Sequence, residues 1–137
     1  GMLFLMSSNP VVRQEEAPTR ERADRVLDES VARTVASSDA NDVLYALESS
    51  GDYDPGPGLG RIRAPLVAIN FEDDLINPPE LGLLEREIGR VPRGRAVLIP
   101  RSERTRGHGT HTLAAVWKEH LIRLRDGTNP GDSGKGG

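Results

Sequence analysis

The sequence predicts an α/β fold organised around adjacent parallel strands, and three observations carry that expectation. Two runs of strand length, "APLVAIN" at residues 64–70 and "RAVLIP" at residues 95–100, are apolar without alternation. A strand apolar on both faces suits a parallel sheet covered by helices better than a hairpin with one wet face. Between the runs, "PPELGLLEREIGRV" sets Leu81, Leu84 and Ile88 at helical spacing behind the start signal Pro78-Pro79. Strand, helix and strand then make one βαβ unit, whose crossover is right-handed in nearly all known cases.

The remaining elements follow in chain order. The opening "GMLFLM" has no basic residue before its short apolar run, and no small-x-small cleavage signal follows. Neither a signal peptide nor a membrane span is expected, and residues 2–6 read as the end of a buried helix whose beginning is missing. Residues 17–50 read as an amphipathic helical pair. Pro18 and Thr19 start the first helix, with Ala23, Val26, Leu27, Ala32 and Val35 on one stripe. Asp39 is the N-cap of the second, with Asp42 three residues on and Val43, Leu44, Ala46 and Leu47 behind. "SGDYDPGPGLG" breaks the helical pattern with successive Pro and Gly turns before the first strand.

After the second strand, "HTLAAVWKEHLIRL" offers Leu113, Val116, Trp117, His120, Leu121 and Leu124 as one helical face. Residues 126–137 are Gly-rich and polar and are expected to be disordered. Two strands apolar on both faces leave open apolar edges that these helices cannot cover, so the chain reads as part of a larger sheet.

Composition narrows the function classes. A chain of 137 residues suits one domain. The net charge of -3, from 18 basic and 21 acidic residues, gives no block of one sign, so neither nucleic acid nor a membrane surface is an expected partner. With no Cys there is no disulfide framework, zinc-thiolate site or cysteine nucleophile, which fits a cytoplasmic location.

Ligand sites in open parallel sheets form beyond the carboxyl ends of the strands. Two loops leave there: "FEDDLINPPE", with Glu72, Asp73 and Asp74, and "RSERTRGHGTHT", with His108 and His111. A carboxylate that accepts from one imidazole nitrogen fixes the tautomer and stabilises the imidazolium, while the other nitrogen serves as general base. A lone H-x-x-H outside a helix lacks a third ligand, so no metal or other cofactor is expected. His111 reads as opening the final helix. Arg101, Arg104 and Arg106 read as a solvated face, with an anionic substrate as the alternative. "GPGLG" lacks the flanking strand and helix of a phosphate loop and reads as a turn.

From about residue 38 to 124 the chain resembles the C-terminal part of an α/β-hydrolase of the homoserine O-acetyltransferase type. The resemblance rests on "DANDVLYAL", on "DYDP" before the first strand, on "FEDDLINPPE" after it, and on "GHGTH" after the second. It implies a partial α/β-hydrolase fold over residues 1–125, with lid-like helices at 17–50 and a βαβα unit at 64–125. It also implies Asp74 as the acid, three residues after Phe71 and followed by Pro78-Pro79-Glu80, and His108 after Gly107 as the base. Asp73, one residue away, is the alternative acid. Asn41 and Tyr45 either line the substrate cleft under a lid or simply belong to a packing helix.

The implied partners are a small-molecule acyl donor and acceptor, with acyl-CoA as a candidate co-substrate. The family commonly continues Gly-His-Asp where Gly109 and Thr110 follow His108 here, which leaves transferase and hydrolase chemistry both open. None of the nine serines lies in G-x-S-x-G. The expectation is therefore a fragment with a triad acid and base but no nucleophile, inactive alone; the alternative is a noncatalytic remnant that folds by self-association or with a complementing N-terminal chain.

Overall fold

β1 (Leu66–Phe71) and β2 (Gly94–Ile99) pair in parallel, with Leu66 opposite Gly94 and Phe71 opposite Ile99 in the computed structural model, which describes residues 2–128. The two apolar runs thus become the parallel pair that their lack of alternation predicts. Among the described residues the sheet has these two strands only, so each uses one edge.

Ahead of the sheet come α1 (Met2–Met6), α2 (Pro10–Glu16), α3 (Arg20–Ser37) and α4 (Ala40–Glu48). Their starts follow from short polar side chains that satisfy otherwise unpaired helix N–H groups. Asn9 accepts from the Val12 N–H with Pro10 at the first helical position. Thr19 accepts from Arg22, and Asp39 accepts from Asn41 and Asp42. Pro55 then leads into a 3-10 turn at Gly56–Arg61, where the sequence has "GPGLG".

The crossover differs from the continuous helix expected after Pro78-Pro79. A 3-10 turn at Pro79–Leu81 is followed by Gly82 at φ 60°, and only then by α5 (Leu83–Ile88). A left-handed residue cannot continue a right-handed helix, so Gly82 splits the segment in two. α5 packs on both strands. The return into β2 is tight: a Cβ at Gly94 would lie 2.8 Å from Val91 Cβ and 2.9 Å from the Ile88 carbonyl oxygen.

α6 (Ala114–Thr128) packs on β1 after a 3-10 turn at Gly109–Thr112. The helix carries on through residues 126–128, which were expected to begin a disordered tail; residues 129–137 lie outside the described residues. α1 forms as a helix, but Leu5 is exposed rather than buried in a core. The expected apolar stripes of α3 and α4 are covered only in part: Val26 and Leu27 are half-buried beside a cleft shared with α1 and α2, but neither helix fully buries a residue, and Val35 is 74% exposed.

Among the described residues the buried apolar side chains are Val12, Phe71 and Val91, while the largest fully buried side chains are Thr105 and Thr110. Burial is therefore densest at the carboxyl end of the strands, where α2 meets the loops after β1 and β2. That is where Asp73, Asp74 and His108 lie.

Candidate active site

The chain turns sharply at the end of β1, with the Asp74 N–H donating to the Phe71 carbonyl at 3.1 Å. This turn drops the Asp74 side chain inward, leaving it 3% exposed. One carboxylate oxygen, Oδ1, accepts from the backbone N–H groups of Ile76 at 2.8 Å and Asn77 at 3.0 Å. The other, Oδ2, lies 3.0 Å from His108 Nδ1. Burial pushes the carboxyl upward, but the Asn77 N–H, the His108 ring and the Ile76 N–H outweigh it and hold Asp74 below its ordinary value.

An ionised carboxylate can only accept, so His108 Nδ1 carries the proton and donates it to Asp74. Nε2 is then the bare nitrogen with a lone pair. Asn77 Nδ2 also stands 3.5 Å from Nδ1, at the limit of bonding distance. Since that nitrogen carries its proton and an amide NH2 is itself a donor, this approach is not a hydrogen bond. The His108 side chain is 32% exposed, and Nε2 has no hydrogen-bond partner among the described residues. The arrangement fixes one imidazole nitrogen on a buried carboxylate and leaves the other without a hydrogen bond among the described residues.

Asp73 and Asp74, which the sequence could not separate, face different groups. Asp73 Oδ2 accepts from Asn9 Nδ2 at 2.6 Å, Thr105 Oγ1 at 3.0 Å and the Gly107 N–H at 3.0 Å. Thr105 is fully buried; its one hydroxyl proton is shared between Asp73 Oδ2 and the Ser102 carbonyl, and its oxygen accepts from the Ser102 N–H, closing the loop on itself. Gly107, just before His108, sits at φ 56°, and a Cβ there would fall 2.7 Å from the Ser8 carbonyl oxygen. Glycine is required there by both the left-handed backbone and the close approach.

No family model, curated protein or solved structure matches the chain.

Ser7 and Ser8 meet this loop through their backbone carbonyls. Ser7 accepts the Gly109 N–H at its carbonyl, at 2.8 Å, and its hydroxyl donates to the Phe4 carbonyl. The segment from Ser7 to Asn9 thus flanks the histidine loop, a role the sequence analysis missed. Its only mark in the sequence is the cap pattern Asn9-Pro10, which reports a helix start and says nothing of a distant loop.

The other candidates are not drawn to the pair. Tyr45 is 65% exposed on α4, Asn41 is exposed at its start, and neither bonds to Asp74 or His108. His111 lies in the turn before α6, with its ring 5.0 Å from that of His108. Its Nδ1 is 2.6 Å from the His108 carbonyl oxygen and therefore donates to it, and its own carbonyl accepts from Trp117 Nε1 at 3.0 Å. These bonds tie the loop to α6. Arg104 and Arg106 donate to the carbonyls of Ala115, Glu103 and Thr105, so they brace the loop as well as facing solvent.

A cleft of about 380 Å³ opens beside the Asp74 loop, lined by Ile69, Asn70, Ile76, Asn77, Pro79 and Leu84. A similar one of about 400 Å³, between α1, α2 and α3, contains neither member of the pair. The first is likewise lined by neither Asp74 nor His108, but Asn77 in its wall stands 3.5 Å from His108 Nδ1. Among the described residues no three His, Cys, Asp or Glu side chains gather so as to hold a metal ion. No described helix is long and apolar enough to cross a membrane.

Proposed function

We propose that Asp74 and His108 are the acid and base of a Ser-Asp-His acyl-transfer site of the α/β-hydrolase kind, resembling homoserine O-acetyltransferase, with the nucleophile supplied from outside the present 137 residues. The observation that carries this reading is the 3.0 Å contact of Asp74 Oδ2 with His108 Nδ1, made between loops that leave adjacent parallel strands at their carboxyl ends. A serine hydroxyl placed at Nε2 would attack an acyl carbonyl while its proton passes to His108. The imidazolium, stabilised by Asp74, would return that proton to the departing alkoxide or thiolate, an acyl-CoA being one source of the latter. A second alcohol or water, deprotonated by the same nitrogen, would then take the acyl group from the serine, whose oxygen recovers that proton from the imidazolium.

Without the nucleophile, such a site loses on the order of a million-fold in turnover. The chain alone therefore gives no His108-dependent hydrolysis of an activated ester. Turnover that disappears in His108→Ala would overturn this. The coding sequence upstream of Gly1 tests parentage: an in-frame strand followed by G-x-S-x-G supports the reading, and its absence counts against it.

A second reading is favoured by the sheet, whose strands each use a single edge among the described residues, and by exposed Val43, Leu44 and Leu47 on α4. In it the chain is a noncatalytic remnant that folds by pairing with a second copy or a complementing chain.

A further inference from the structure

We infer that Asp73 is a positioning residue for His108, working with Asn9 and Thr105 as a clamp that closes the N-terminal segment onto the histidine loop. This rests on the reading of Asp74 and His108 as acid and base and deepens it. The two acids occupy adjacent positions in the chain but have separate tasks. Asp74 meets the imidazole directly, whereas Asp73 meets only the backbone and the neighbours that carry it.

Three donors converge on one oxygen, Asp73 Oδ2: an amide from before α2, a hydroxyl from the loop and the N–H of Gly107. Gly107 immediately precedes His108, so its bond to Asp73 fixes the peptide entering the histidine. The peptide leaving it is fixed from the same side, by the Gly109 N–H on the Ser7 carbonyl. Both anchors lead back to the segment from Ser7 to Asn9, one through its backbone and one through the Asn9 amide. Asn9 is itself held, being 5% exposed with its Oδ1 capping α2 at Val12. The ring of His108 can swing about its side-chain bonds, but its Cα is pinned at both flanking peptides, which keeps Nδ1 within reach of Asp74.

Asp73 is not a spare acid for the same histidine. With three donors already on Oδ2, and Oδ1 buried without a partner among the described residues, it could reach His108 only by releasing the loop. A catalytic geometry tolerates little such looseness: displacements of about 1 Å can cost on the order of a hundred-fold in rate.

The test uses the full chain and the ¹⁵N signals of the His108 imidazole, recorded at a pH where the ring is neutral. In the parent chain a single Nδ1–H tautomer with a slowly exchanging proton is expected. Asp73→Asn places an amide N–H₂ or a weaker acceptor against the three donors, and Thr105→Val removes one donor at nearly constant shape. Both should shift the two ring nitrogens toward the averaged values of a free imidazole and lose the Nδ1 proton signal, while Thr105→Ser should retain it. Asn9→Ser keeps the helix cap but cannot reach Asp73, so it should act like Thr105→Val, and it decides the matter if Asp73→Asn fails to fold. Gly94→Ala, which crowds the α5–β2 turn away from the loop, should leave the signature unchanged and so separates positioning from general destabilisation. Unchanged His108 signals in folded Asp73→Asn or Asn9→Ser would overturn the clamp alone. A parent chain with no preferred tautomer would instead overturn the acid–base reading itself.

Discussion

Replacing Asp74 by Asn is the sharpest probe of the pair, because it alters one oxygen and keeps the rest. The amide oxygen can still accept from Ile76 and Asn77, whereas the position of Oδ2 becomes an N–H₂ facing the His108 Nδ1–H. The charge-assisted bond that is lost is of a kind contributing roughly 1.5–3 kcal/mol. Exposure of a third of the His108 side chain places it toward the low end. Moving the ring proton to Nε2 would let Nδ1 accept from the new amide, recovering a neutral bond of about 0.5–1 kcal/mol. The expected net cost is thus about 1 kcal/mol, with a tautomer exchanged at the base.

Urea unfolding of the parent, Asp74→Asn, His108→Ala and the double variant, at one protein concentration, gives the coupling directly. About 1–2 kcal/mol of coupling is expected at neutral pH. Because the folded Asp74 is held below its ordinary value, the stability it contributes is fully present above the unfolded carboxyl value and is lost as pH falls through the folded one. The coupling should therefore survive mild acid and disappear only below the usual carboxylate range. A coupling smaller than about 0.5 kcal/mol at neutral pH, within the scatter of independent sites, would refute the argument that the two side chains form one unit.

Two further outcomes follow from the backbone and the surface. Gly107→Ala combines a left-handed residue with a contact at 2.7 Å to the Ser8 carbonyl oxygen, and should cost about 2–4 kcal/mol. Gly82→Ala shares the left-handed backbone but meets nothing within 4 Å, so it should cost only about 1–2 kcal/mol; thermal unfolding that reversed this order would contradict the close packing of Ser8 on the loop. If the open strand edges are used by association, the unfolding midpoint should rise with protein concentration. Sedimentation showing a monomer with a fixed, sharp midpoint would count against association.

The parts of the fold that depend on local pattern were legible in the sequence. Unalternating apolar runs yielded β1 and β2, and Thr19 and Asp39 marked their helix starts because a cap acts within three residues. Boundaries set by backbone conformation were harder to read. Gly82 breaks a helix whose apolar stripe continues across it, since periodicity reports side chains and not φ. The burial of α3 and α4 was overestimated for a related reason: an apolar stripe shows that a helix can pack, not that a partner covers it, and Val35 and Leu47 stay largely exposed. At the site, strand ends and residue types singled out the two loops, and the family resemblance then chose Asp74 and His108 within them, with Asp73 as the alternative acid. The contribution of Asn9 was not legible, because its contact with Asp73 spans 64 positions and leaves no periodic or compositional trace.

The same contrast bears on how the site and the sheet would respond to a partner. Apolar burial is sparse here, with Val12, Phe71 and Val91 as the buried hydrophobic residues, whereas hydrogen bonds among Asp73, Asp74, Asn9, Thr105, Gly107 and His108 are dense. Covering the half-buried side chains of Val67 and Ile69 along β1 would add apolar contacts, each fully buried aliphatic side chain being worth about 1.5–3 kcal/mol. None of those contacts touches the polar cluster at the strand ends. Association should therefore raise the stability of the chain while leaving the tautomer of His108 as it is, and loosening Asn9 or Asp73 should do the reverse. Stability and base geometry are then separable quantities in this protein, one set by what covers the sheet and the other by what holds the loop.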